Sequence, residues 1–81
     1  MSTSPVKVEP LAVNVSFPYG SSLLVRLADG REISVPLLWF PRLAGATAEE
    51  RADYSLIGGG IGIYWPRIDE DLSVAGLLRG D

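Results

Sequence analysis

The sequence predicts an α+β fold: an antiparallel sheet made of a three-strand meander plus a second hairpin, with a short helical insert and a C-terminal helix. Three observations predict it. Apolar and polar residues alternate from Ala12 to Val35, Thr47-Ala48-Glu49-Glu50 has the form of a helix capping box, and Gly58-Gly59-Gly60 separates two β-rich runs.

Val6 to Glu9 alternates but stops at Pro10, which marks an extended arm or short edge strand. Residues 1–11 are therefore expected to form a flexible N-terminal arm and residues 12–81 one domain. From Ala12, the residues Val13, Val15 and Phe17 share one face of a strand, opposite Asn14 and Ser16. Pro18-Tyr19-Gly20-Ser21 is turn chemistry, after which Leu23, Val25 and Leu27 alternate with Leu24, Arg26 and Ala28. Asp29-Gly30 then predicts a type I′ hairpin turn, with positive φ at both central residues, leading into Ile33 and Val35.

The alternation fails at Val35-Pro36-Leu37-Leu38-Trp39-Phe40-Pro41, where two prolines bar a continuous strand or a long helix. This segment is expected to cap one end of the core with Trp39, Phe40 and Leu43. A short helix follows from Thr47, with Glu49 and Glu50 at the positive end of its dipole. The second hairpin runs from Tyr54 to Ile57 and from Ile61 to Trp65, with a bulge or close backbone approach expected near Gly62. Asp69-Glu70-Asp71 reads as the acidic start of the closing helix, in which Leu72, Ala75 and Leu78 recur at helical spacing and Gly80 is the C-terminal cap.

Composition narrows the chemistry. The 81 residues contain no cysteine and no histidine, so the commonest general base, metal ligand and thiolate nucleophile are absent. No enzyme activity and no cofactor are expected. A chain this small buries only about 60% of its unfolded surface, which leaves little room for a deep cleft. The absence of disulfide staples favours the cytoplasm, and neither a signal peptide nor a membrane span is evident. A net charge of −3 offers no long-range attraction for phosphate backbones, so nucleic acid is disfavoured as a partner. Six of the seven basic residues are arginines, which suit fixed pairing with carboxylates, although a GC-rich genome explains the same bias.

Three motifs invite a functional reading. Gly58 to Gly62 lacks the spacing and the Lys-Ser/Thr of a phosphate loop and is better read as a hairpin turn. Asp69, Glu70 and Asp71 lack the ligand spacing of a calcium loop and read as a solvated helix start, or as an acidic surface for a basic partner. Trp39, Phe40, Tyr54, Tyr64 and Trp65 read as core, with a tryptophan edge left to mark an interface. Arg42 and Arg51 are expected to pair with the acids at 69–71 and pin the insert to the C-terminal segment. The candidate interaction surface is thus Trp39, Arg42, Arg51, Trp65, Asp69, Glu70 and Asp71.

The strings Leu27-Ala-Asp-Gly-Arg-Glu-Ile-Ser-Val-Pro-Leu-Leu-Trp-Phe-Pro-Arg-Leu43, Ala46-Thr-Ala-Glu-Glu-Arg51 and Gly60-Ile-Gly-Ile-Tyr-Trp-Pro-Arg-Ile-Asp-Glu-Asp-Leu-Ser-Val74 closely resemble a bacterial family of short proteins catalogued as a domain of unknown function. One structural representative of that family is the N-terminal domain of a protein that carries a helix-turn-helix after it. The resemblance implies a small α+β fold, often encoded beside another small gene in a toxin–antitoxin-like arrangement. It supplies no catalytic residues. A protein-interaction or regulatory module is the leading expectation, an antitoxin-like partner of a small protein encoded nearby, with no nucleic acid or membrane contacted by this domain alone. Self-association through an edge strand is a further expectation. The alternative is a small-ligand sensor with a pocket between the sheet and the Pro36 to Leu43 insert.

Overall fold

The alternation that begins at Ala12 folds as an antiparallel meander of β1 (Ala12–Ser16), β2 (Ser22–Leu27) and β3 (Glu32–Pro36), in the order β1-β2-β3. The computed structural model describes residues 10–80, so the expected arm at Val6 to Glu9 lies outside the described residues. Leu23, Val25 and Leu27 point inward and are buried, as their period of two requires. Val13 departs from the expected face. A β-bulge sets Ala12 opposite Leu27 and Asn14 opposite Arg26, so Val13 has no cross-strand partner and turns to solvent while Ala12 and Val15 go inside.

The Asp29-Gly30 turn also departs from its expected geometry. At Asp29-Gly30 only the glycine takes a positive φ, 96°. Gly30 N–H donates to the Leu27 carbonyl at 3.1 Å and Leu27 N–H to the Arg31 carbonyl at 2.8 Å. This is a three-residue loop closed by a glycine bulge, and the type I′ expectation is corrected. Paired left-handed residues occur instead at Tyr19 (φ 56°) and Gly20 (φ 67°), in the turn between β1 and β2.

After β3 the chain leaves the sheet through a 3-10 turn (Leu37–Trp39), α1 (Pro41–Ala44) and α2 (Ala48–Ala52). Leu37, Phe40 and Leu43 are buried at spacings of three, the period of a tight turn. The residues between them face outward. Trp39 was expected to cap the core, yet it is 52% exposed and Leu38 is 86% exposed; Leu37 fills that place.

The second sheet has β4 (Ser55–Ile57), β5 (Gly62–Trp65) and β6 (Glu70–Ser73) in the order β4-β5-β6, and α3 (Val74–Arg79) closes the described chain. The second hairpin is therefore extended by a third strand. Glu70 lies opposite Trp65 and Leu72 opposite Ile63, so Glu70 and Asp71 belong to a strand, with Asp69 in the turn before it at φ 52°, and the acidic tract is not a helix N-terminus. The actual cap is Ser73, whose Oγ accepts the Gly76 N–H at 2.9 Å. Val74, Gly76 and Leu77 form the buried face of α3 in place of Leu72, Ala75 and Leu78. Gly80, at φ 85°, returns its N–H to the carbonyls of Gly76 and Leu77 and ends the helix as expected.

Both sheets bury their inner faces in one core, where Ile63, Trp65 and Val74 meet Leu23, Val25 and Leu27. Trp65 is completely buried, worth about 4 kcal/mol of hydrophobic stabilisation from its area alone. At their margin the sheets are joined by the Ala12 N–H, which donates to the Gly60 carbonyl at 2.8 Å. A Cβ at Gly60 would lie 2.5 Å from the Ala12 oxygen, so the close approach expected at Gly62 occurs at Gly60. At Gly62 a Cβ would make only an ordinary 3.5 Å contact with the Leu72 oxygen, and the ladder there is uninterrupted.

Candidate functional site

A helix as short as α2 has few internal bonds, and side chains secure both its ends. Thr47 and Glu50 form the expected capping box, with Glu50 N–H to Thr47 Oγ1 at 3.1 Å and Thr47 N–H to Glu50 Oε1 at 2.9 Å. In the last turn Arg51 reaches back to α1, donating from Nε to the Leu43 carbonyl at 2.9 Å and from Nη2 to the Ala44 carbonyl at 3.0 Å. Its guanidinium also lies over the Phe17 ring, 5.5 Å from the centroid. Its own carbonyl accepts the Trp65 indole N–H at 3.0 Å.

These bonds frame a cavity of about 470 Å³ between the end of β1, the turn after it and α2, lined by Val15, Phe17, Gly20, Arg51, Ala52 and Tyr54 among others. The Tyr54 hydroxyl accepts the Val15 N–H at 3.2 Å and donates to Asn14 Oδ1 at 3.4 Å, so it holds the outer edge of β1. The cavity wall is mainly apolar, and Arg51 is its one charged residue.

A second feature lies beyond Gly20. The Leu37 N–H donates to the Ser21 carbonyl at 3.1 Å and Ser22 pairs with Pro36, which places the β1–β2 turn beside the 3-10 turn. A groove of about 420 Å³ bordered by Gly20, Pro36, Leu38 and Ala44 runs between them, at the place where the insert was expected to meet the sheet. The side chains of Tyr19, Leu38 and Trp39 stand exposed on these two turns.

The candidate residues divide on this frame. Arg42 and Asp69 do come together, but Arg42 Nη1 donates to the Asp69 main-chain carbonyl at 2.6 Å and not to its carboxylate. Arg51 pairs with carbonyls of α1 and not with the acids, which corrects the expected tether. Trp65 is fully buried and contributes to no surface. Glu70 is half-buried, and Asp71 is exposed beside Ile57 and Ile61 on the outer face of the second sheet. The acids thus form no single patch with Trp39 and Trp65. Ion pairs form instead within the meander, where Arg26 meets Glu32 at 3.1 Å and Arg31 meets Asp29 at 2.8 Å.

Sequence reasoning missed Tyr19 and Leu38. The three-residue spacing of Leu37, Phe40 and Leu43 is the signal that turns Leu38 outward. The triglycine is a hairpin turn, and among the described residues no group of three or more acidic side chains converges on a metal-sized site. No helix among them is long and apolar enough to cross a membrane.

Among curated proteins none matches this chain. Among solved structures, a protein of unknown function from Rhodospirillum rubrum is similar at 28% identity and a TM-score of 0.76, over 90% of this chain and 89% of that one. An uncharacterized protein from Chromobacterium violaceum is similar at 27% identity and a TM-score of 0.72, over 86% of this chain and 65% of that one. A family model described as protein of unknown function (DUF2442) matches residues 12–81. With nearly the whole described fold inside that match, the chain belongs to the DUF2442 family.

Proposed function

We propose that this protein is an interaction module that docks another small protein on the apolar surface made by Tyr19, Leu38 and Trp39. The observation that carries the reading is the exposure of these side chains, 102%, 86% and 52%, on two turns that are hydrogen-bonded to each other. Large apolar side chains held outward on a rigid frame are the usual anchors of an interface, whereas a single exposed leucine needs no explanation. Arg42 and Asp69, both exposed and joined to each other, supply polar groups near the same insert. The net charge of −3 favours a basic partner. The antitoxin-like role implied by the family resemblance is the finer form of this reading, with the product of an adjacent gene as the partner.

Co-expression with that gene product tests it. A stable complex is expected, weakened at least about thirtyfold by Leu38→Asp or Trp39→Ala with the melting temperature unchanged. Failure of the two folded proteins to associate overturns the reading.

A further inference from the structure

We propose that the cavity beside Arg51 binds a small carboxylate with an apolar tail. The inference stands on geometry separate from the docking surface, and either can fail alone.

The guanidinium is fixed before any ligand arrives. Two carbonyls of α1 and the Phe17 ring hold its plane, so ordering it on binding costs little. Those carbonyls engage two of its five donors and offset only part of its charge. Among the described residues no carboxylate comes within 4 Å of it. A half-buried cation of this kind favours an anion at its remaining donors. Nη1 points to the Gly20 side of the cavity, since a Cβ placed on Gly20 would lie 3.8 Å from it.

The rest of the wall selects the ligand. Val15, Phe17 and Ala52 offer apolar surface to a tail, and a volume of about 470 Å³ suits a compact molecule. One arginine, with no lysine or second arginine lining the cavity, matches a single negative charge better than a phosphate dianion or a polyanion. A free aliphatic or aromatic acid and the carboxyl end of a polypeptide share this chemistry.

Amide chemical shifts of the intact protein, followed during titration with benzoate, hexanoate and N-acetyl-alanyl-phenylalanine, test the proposal. At least one free acid is expected to give saturable shifts at Phe17, Gly20, Arg51 and Ala52 in about the millimolar range, with benzamide at least about tenfold weaker. Binding of the free acids alone assigns a metabolite-sized ligand; binding of the peptide as well extends the site to a chain terminus. Arg51→Gln is expected to abolish the shifts. Because Arg51 also supports α1, Ala52→Leu serves as the second variant: it fills the cavity from an exposed helical position and is expected to weaken binding about tenfold while spectral dispersion is retained. Absence of saturation by every acid, equal binding of benzamide, or unchanged binding in a folded Ala52→Leu protein overturns the proposal.

Discussion

The indole nitrogen of Trp65 and the main-chain carbonyl of Arg51 are joined at 3.0 Å, so the most deeply packed aromatic of the second sheet is bonded to the residue that secures the end of α1. Replacing Trp65 with phenylalanine removes this donor, strands the carbonyl and leaves a void. A loss of about 3 kcal/mol in urea unfolding is expected, against less than about 0.5 kcal/mol for Trp39→Phe. The same Trp39→Phe protein retains only the enclosed tryptophan. Its emission should lie at short wavelength and resist quenching by acrylamide.

Gly60 and Gly59 form a matched pair. Both have positive φ, 117° and 73°, but a Cβ at Gly60 strikes the Ala12 backbone while one at Gly59 meets nothing within 4 Å. Gly59→Ala should cost about 1 kcal/mol and Gly60→Ala at least about 3 kcal/mol, read as melting temperatures separated by roughly 10 °C.

Thr47→Ala removes the hydroxyl that accepts the Glu50 N–H, one half of the capping box, and leaves the bond from its own backbone N–H to Glu50 Oε1. A loss of about 1 kcal/mol in chemical denaturation is expected, and Thr47→Ser should restore most of it.

Asp29 titrates below its ordinary value of 3.8, chiefly because its carboxylate accepts the Arg31 backbone N–H, aided by the Arg31 side chain. A depressed folded-state pKa contributes stability that is present above the unfolded value and is lost as pH falls through the folded one. A carboxyl-detected titration should therefore place the Asp29 midpoint below 3.8, and the stability difference between wild type and Asp29→Asn should shrink as pH drops below that value. Solvent exposure of the pair keeps the effect small.

The meander was legible because each strand has one wet and one dry face, which imposes the period of two on Leu23, Val25 and Leu27. The capping box at Thr47 was legible because its two bonds are local. Other features depend on distant groups. Glu70-Asp71-Leu72-Ser73 carries the acids of a helix start, and only the free edge of β5 makes it a strand. Trp39 and Trp65 both stand beside a proline-containing segment, yet one faces solvent and the other is enclosed by Phe17 and Tyr54, ring centroids 6.4 and 6.3 Å away. The cavity at Arg51 was illegible for the same reason, since its walls come from β1 and α2 with β2 and β3 between them in sequence.

The bond from Ala12 to Gly60 and the one from Val15 to the Tyr54 hydroxyl span long stretches of chain, 39 residues in the latter case. The meander closes through local turns, but its marriage to the second sheet waits for most of the chain to be in place. Loop closure of that length sets the pace of folding more than the stability reached at the end. Until it is complete, the row of Leu23, Val25 and Leu27 lacks the cover of Ile63, Trp65 and Val74. The interval between the two events is when a nascent copy is most vulnerable to sticking to another, and chaperone dependence during synthesis should track the speed of that final docking.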